Sequence, residues 1–377
     1  MLKVLQVSSD TNIGGAGKCI LTYLKHYNKE KIDLAAVIPE GSLLKPPMEE
    51  LGAKVYEIDA MRDKSMDIRA IRKLLKIFKE FKPDIVHAHA SMSARIAARI
   101  YGAKVIYTRH SVFPPNPKLT HGIGKLLCGL INNSTADKII AVAEAAKQNI
   151  LDIGVSEKKI DVILNGVEPL RQYEDAEIQK IKEDYGVSSD YKCVAIVARL
   201  NEVKGHKYFV KAAKLLKDMG IKAKFLIAGT GEMEEAIKKQ IRDEDLSEDV
   251  IMLGFLNNVE PLMNAIDVQI NCSFGTEATS LSLLEGMSLG KPAVVSDFGG
   301  NPGVIKNGKN GYVVPTHSPE AVAQKLKDLF TDDSLYEEMR NMSKQIFEST
   351  FTAKKYAENI DNIYLSLGGK NNGKTEI

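Results

Sequence analysis

Residues 271–296 read Asn-Cys-Ser-Phe-Gly-Thr-Glu-Ala-Thr-Ser-Leu-Ser-Leu-Leu-Glu-Gly-Met-Ser-Leu-Gly-Lys-Pro-Ala-Val-Val-Ser. An apolar strand at 267–271 runs into a loop of small residues holding one carboxylate, Glu277. A short helix is predicted from about residue 280, with Leu281, Leu284 and Met287 at helical spacing and a second carboxylate, Glu285. Gly290 ends the helix, Pro292 blocks its return, and 293–296 reads as the next strand. A helix N-terminus therefore opens at the carboxyl end of a strand, where an α/β sheet binds its ligands. Its free N–H groups can hold an anion such as a diphosphate. Two carboxylates do not hold phosphate; they accept hydrogen bonds from hydroxyls. A ligand with both phosphate and many hydroxyls is a nucleotide-sugar. Alone, the same letters also spell an ordinary helix with a Ser282–Glu285 capping pair.

Moving outward through the second half, short apolar runs at 193–197, 224–228, 250–253, 268–271, 293–296 and 312–314 alternate with helical patterns. The first run leads into Ala198-Arg199-Leu200-Asn201-Glu202-Val203-Lys204-Gly205. An arginine and a lysine five residues apart in one strand-to-helix connection can reach a single anion from two sides. Gly229 and Gly231 form another strand-end glycine turn. Asp243-Glu244-Asp245 has the form of a metal-binding Asp-x-Asp, but lies in an acidic run after an amphipathic helix and reads as solvated charge.

The first half alternates in the same way, with strands at 3–7, 34–38, 54–58, 84–88, 104–108, 138–142 and 161–164. Two parallel, doubly wound sheets are the expected architecture. Gly14 and Gly15 follow the first strand, with a spacing that differs from the Gly-x-Gly-x-x-Gly of a dinucleotide fold; this weakens a nicotinamide oxidoreductase as a rival reading. His87 and His89 lie two apart on one strand, hence on one face. With no third ligand in view, hydrogen bonding suits them better than a metal. His110 follows another strand. A proline-rich loop is expected at 113–119. Residues 67–81 form a basic amphipathic helix with Ile68, Ile71, Leu74, Leu75 and Phe78 in its apolar stripe. Its cations read as a solvated face, with contact to an anionic membrane as the alternative.

A length of 377 residues suggests two domains. With 51 basic and 49 acidic residues the net charge is +2, so no global field attracts nucleic acid. Cys19, Cys128, Cys193 and Cys272 are widely spaced and show no redox or metal pairing. No signal peptide or spanning segment is read, so the expectation is a cytoplasmic protein, with the inner membrane face as a candidate location. Residues 368–377 read as a disordered polar tail.

Glu277 and Glu285 resemble the two ends of the E-x7-E signature of retaining glycosyltransferases of family 4, which have the GT-B fold: two Rossmann-like domains facing a central cleft. The segment 199–205 is similar to that family's Arg-Leu-x-x-x-Lys-Gly. The resemblance implies catalytic roles for Glu277, Arg199, Lys204 and His110, with Arg199 and Lys204 on the donor diphosphate. It implies donor binding by Gly14, Gly15, Glu285, Thr279, Ser280, Leu281, Gly229, Phe255 and Leu256, the last two at the base. Where the family often has Gly-Phe-Gly after the first Glu, this chain has Ala278-Thr279-Ser280, whose side chains narrow the sugar pocket and leave the donor sugar open. It further implies an acceptor-binding domain at 1–168, a donor domain at 169–351, and a last helix, 352–367, packing back on the first domain. Sugar transfer from a nucleotide-sugar, with UDP favoured, to a glycan, lipid-linked or small-molecule hydroxyl is the expected reaction, with no cofactor and no divalent metal. A nucleotide-sugar epimerase of the same fold is the nearer rival.

Overall fold

A computed structural model describes residues 1–61, 66–113 and 116–368. The seven apolar runs of the first half become parallel strands: β1 (Leu2–Ser8), β2 (Ile32–Pro39), β3 (Lys54–Ile58), β4 (Ile85–His89), β5 (Lys104–Arg109), β6 (Lys138–Ala141) and β7 (Ile160–Val162). Each lies within two residues of its expected bounds. They form one sheet in the order β3-β2-β1-β4-β5-β6-β7. Parallel neighbours cannot be joined by a tight turn, so helices such as Gly15–His26, Ile68–Phe81 and Met92–Tyr101 make the crossovers.

The second half repeats the plan with β8 (Lys192–Val197), β9 (Ala223–Ala228), β10 (Val250–Gly254), β11 (Val268–Asn271), β12 (Ala293–Ser296) and β13 (Gly311–Val314), in the order β10-β9-β8-β11-β12-β13. Residues alternate between its two faces. Val194, Ile196, Phe225 and Ile227 join one buried cluster, while Cys193, Ala195, Leu226 and Ala228 join the other. Strands buried on both sides read as continuous apolar runs, which is why they were visible in the sequence.

The chain divides into one unit of Met1–Gly166 with the C-terminal segment from Ala353, and a second unit of Val167–Thr352. The division falls two residues before the expected 168. Helix Ala353–Gly368 lies in the first unit, where Tyr23 Oη donates to Asp361 Oδ1 at 2.6 Å and Tyr364 is fully buried. Gly368 ends that helix; the rest of the tail expected from there to 377 lies outside the described residues, as do Pro114 and Pro115 of the proline-rich loop.

One helix corrects the sequence reading. Ile68–Phe81 is capped by Asp67, whose carboxylate accepts from Arg69 N at 2.8 Å. Its buried residues are Ala70, Leu74, Phe78 and Phe81, whereas Ile68, expected in the stripe, is 65% exposed. The buried line runs at steps of four, four and three, and Ile68 sits about 100° to one side of its extrapolation.

Candidate active site

In each sheet the strand order reverses once, between β1 and β4 and between β8 and β11. Such a reversal leaves a crevice at the carboxyl ends of the two central strands. In the second unit, β8 delivers the connection carrying Arg199 and Lys204, and β11 delivers the loop carrying Glu277. Gly205 closes the first connection with φ +72°, and a Cβ there would stand 2.2 Å from the Cys272 carbonyl oxygen. Only glycine lets these two strand ends approach so closely.

The approach brings Lys204 and Glu277 together. Lys204 Nζ lies 2.8 Å from Glu277 Oε2 and also donates to Thr276 O at 3.2 Å. The same carboxylate oxygen accepts from Asn271 Nδ2 at 3.0 Å and Ser273 Oγ at 3.1 Å. Glu277 is only 7% exposed. A cation and two neutral donors stand where water would otherwise solvate this buried carboxylate. Asn271 is held in turn by Ser273 N, which donates to its Oδ1 at 3.0 Å. Ser296 Oγ donates to Ser273 O at 2.5 Å, and Asn301 Nδ2 donates to Ser296 Oγ at 3.1 Å. Behind the carboxylate, Gly299 takes φ +60° with its Cβ position 2.0 Å from Glu277 O, and Gly300 N donates to that same oxygen at 3.1 Å.

The other expected donor-side residues surround this network to different degrees. Arg199 is exposed, and no described residue bonds its guanidinium. The Gly229 turn packs on the Ala198 carbonyl beside Arg199. Helix Leu281–Ser288 starts after Ser280, whose side chain makes no capping bond. Ser282 therefore lies inside the helix rather than capping it with Glu285. Its hydroxyl bridges to Val197 O at 3.2 Å and to Ser280 Oγ at 2.9 Å, tying the helix start to the end of β8. Thr279, Ser280, Leu281 and Glu285 are half-buried. Phe255 is 69% exposed, while Leu256 packs on the second unit's core. Asp243 ends a helix and pairs with Lys239, away from the strand reversal.

In the first unit, β4 and β5 place a column of imidazoles. The His87 and His89 rings stack with centroids 4.3 Å apart, and His89 stacks on His110 at 5.1 Å. His89 Nδ1 faces His110 Nε2 at 2.8 Å, so one proton is shared across that contact. His87 Nδ1 meets Tyr364 Oη at 2.5 Å and its Nε2 meets Thr108 Oγ1 at 2.6 Å. Gln6 Nε2 donates to Tyr364 Oη at 3.2 Å, which leaves the phenol proton for His87 Nδ1 and puts the His87 proton on Nε2. Burial, reinforced by the His110 ring, lowers the His87 pKa to about 3. Burial also lowers His110 to about 4, and it takes His89 well below the usual imidazole range, helped by the two neighbouring rings. The column is neutral at physiological pH. Among the described residues no three His, Cys, Asp or Glu side chains are grouped to hold a metal.

Gly14 and Gly15 lie beyond β1 on exposed backbone, and a Cβ on either would meet nothing within 4 Å. Sequence reading missed Asn271, Ser273, Ser296 and Asn301, although the first three bound or begin the stretch that drew attention. It also missed Tyr364, which no local signal links to His87 because 277 residues separate them.

Comparisons with known proteins agree with this fold. Residues 13–171 match the family model described as Glycosyltransferase Family 4, and residues 177–346 match Glycosyl transferases group 1. An Escherichia coli UDP-Gal:alpha-D-GlcNAc-diphosphoundecaprenol alpha-1,3-galactosyltransferase is 26% identical, covering 97% of each chain. The Staphylococcus aureus capsular polysaccharide biosynthesis glycosyltransferase CapM is 23% identical over 93% of this chain and 94% of its own. A Rickettsia africae glycosyltransferase superposes with TM-score 0.84 at 21% identity, over 98% of this chain and 99% of that one. Anabaena HepE in complex with UDP gives 0.84 at 20% identity, over 97% and 100%. With two reversing parallel sheets and both family models in register with them, the chain belongs to the glycosyltransferases of GT-B fold, family 4 in its first half and group 1 in its second.

Proposed function

We propose that the protein moves a hexose from a UDP-sugar to a hydroxyl of a glycan or lipid-linked acceptor, with retention of anomeric configuration and without a divalent metal. The observation that carries this reading is the buried Lys204–Glu277 pair at the strand reversal, with Arg199 unbonded on the same connection. The E. coli relative is named for a UDP-Gal donor and a diphosphoundecaprenol-linked acceptor, and HepE has been crystallised with UDP and with UDP-glucose; both support the donor class.

Cleavage of the anomeric bond leaves its electron pair, and so negative charge, on the diphosphate. Arg199 and Lys204 are assigned to that charge, where preorganised donors are worth about 3 kcal/mol each. Glu277 holds Lys204 in place and offers its carboxylate to the hexose hydroxyls. His110, kept neutral, is assigned a hydrogen bond to the transferring sugar. The acceptor oxygen forms the new bond as its proton passes to the departing diphosphate.

The test is a turnover screen over UDP-, GDP- and ADP-linked sugars, followed by NMR of the product's anomeric coupling. UDP donors should turn over and the product should keep the donor's α configuration. Turnover of none of them removes the reading, and an inverted product removes its retaining part.

A further inference from the structure

Helix Gly122–Thr135 is built inside out. It is apolar in sequence, yet Gly129 is its only buried residue. Ile123, Leu126, Leu127, Leu130 and Ile131 are 76%, 70%, 52%, 63% and 47% exposed. The face turned to the protein is made of glycine and amide groups. A Cβ on Gly129 would stand 2.4 Å from Gly154 O, and one on Gly124 1.8 Å from Lys118 O. Asn133 Nδ2 donates to Gly154 O at 3.2 Å, and Asn132 Oδ1 accepts from Arg95 Nη2 at 3.0 Å. Soluble helices bury their apolar stripe; a contiguous exposed one marks a docking surface.

Charge selects the occupant. Between Asp84 and Asp137 the chain holds no acidic residue; of the cations there, Arg95 is buried and Arg99 pairs with Asp137, so the charge of this face comes from Lys118 and Lys125. Lys118 and Lys125 stand exposed at the start of the apolar face, and no described residue pairs with either. Large apolar side chains beside unpaired lysines, with no carboxylate among them, match the interface of an anionic bilayer. We propose that this face, from Lys118 to Ile131, seats the protein on an anionic lipid surface. The surface is continuous with a cavity of about 470 Å³ whose lining includes Leu119, Cys128, Asn132, Arg95 and Arg109. The inference deepens the proposed function, since it rests on an acceptor that is lipid-linked and presented at that surface.

The full chain should sediment with phosphatidylcholine vesicles containing phosphatidylglycerol, and far less with phosphatidylcholine alone. Leu126→Glu/Leu130→Glu should lower the bound fraction about tenfold, and Lys118→Glu/Lys125→Glu should remove its salt dependence. All four side chains are exposed, so melting temperature and UDP-sugar hydrolysis without vesicles should not change. Wild-type protein left in the supernatant would overturn the proposal. So would undiminished binding of the leucine variant, or a dimer in size-exclusion chromatography that the leucine variant dissociates. Loss of binding through Arg72→Glu/Lys76→Glu instead would move the contact to helix Ile68–Phe81 and equally overturn it. The turnover screen over UDP-, GDP- and ADP-linked sugars, run on the same protein, separates the two readings: vesicle binding with turnover of none of them sinks the proposed function alone, and turnover without vesicle binding sinks this inference alone.

Discussion

The two strand reversals solve one problem in opposite ways. In the second unit, buried polarity converges on a full charge, with one oxygen of Glu277 accepting from Lys204, Asn271 and Ser273. In the first, it is spread over stacked neutral rings, with Tyr364 and Thr108 satisfying His87 at its two nitrogens. A fixed ion pair supplies a strong local field but leaves a stranded charge if either partner is lost. A neutral column supplies hydrogen-bond direction and tolerates desolvation, but only while pH keeps it neutral. The units should therefore fail differently.

The largest effect is expected at the ion pair. Lys204→Ala should cut turnover roughly 100- to 1,000-fold, as removal of a preorganised donor does. It should also destabilise the protein by about 3 kcal/mol, because Glu277 is left buried without its cation. Arg199→Ala is the control within the same connection. It should slow turnover by a similar factor with an unchanged melting temperature, since Arg199 is exposed and bonded to no described residue. Steady-state kinetics with calorimetry on both variants decides the matter; equal melting temperatures would show that the pair serves chemistry alone.

The neutral column should show itself in pH. His87 is 1% exposed with its pKa lowered to about 3, against about 6.5 unfolded. Between those values the unfolded chain binds a proton that the folded chain refuses, so stability rises with pH. The contribution is complete above about 6.5 and is lost on acidification toward 3, at up to about 1.4 kcal/mol per pH unit. His87→Gln should flatten the acid limb of the melting temperature relative to wild type, while a substitution at Arg199, exposed and bonded to no described residue, should leave that limb's slope intact. Parallel limbs for wild type and His87→Gln would mean that the ring is already charged.

What was legible before the structure follows from the same contrast. Strands buried on both faces are short apolar runs, so all thirteen could be read within two residues of their bounds. The two members of the ion pair were legible as candidates, a lysine in one strand-end loop and a carboxylate in another, but their pairing was not, because 73 residues separate them. The Asn271 and Ser273 donors were hidden because small polar residues at a strand end also read as a plain turn. Tyr364 was hidden because its partner lies at the other end of the chain. Helix Gly122–Thr135 escaped for a different reason. Periodicity locates an apolar stripe but does not say which side faces the protein, and here glycines carry the packing. In helix Ile68–Phe81 the usual assumption worked except at Ile68, one step off the buried line.

The smallest expected effect tests whether the glycines of the two units are equivalent. Gly205 and Gly299 have positive φ and backbone within 2.2 Å of a would-be Cβ, so packing alone requires them. Gly15 opens helix Gly15–His26, has ordinary backbone, and has open space where its Cβ would stand. Nothing within the described protein demands a glycine there. Gly15→Ala should raise stability slightly, by about 0.4–1 kcal/mol, because it removes freedom from the unfolded chain at a compatible position. If the bare backbone exists to let a substrate approach, the same variant should raise KM for donor or acceptor about tenfold, or 1.4 kcal/mol, with kcat less affected. A stabilised variant with unchanged KM for both substrates would make Gly15 mere punctuation after β1. The approach of a ligand to the first unit's strand reversal would then rest on the histidine column alone.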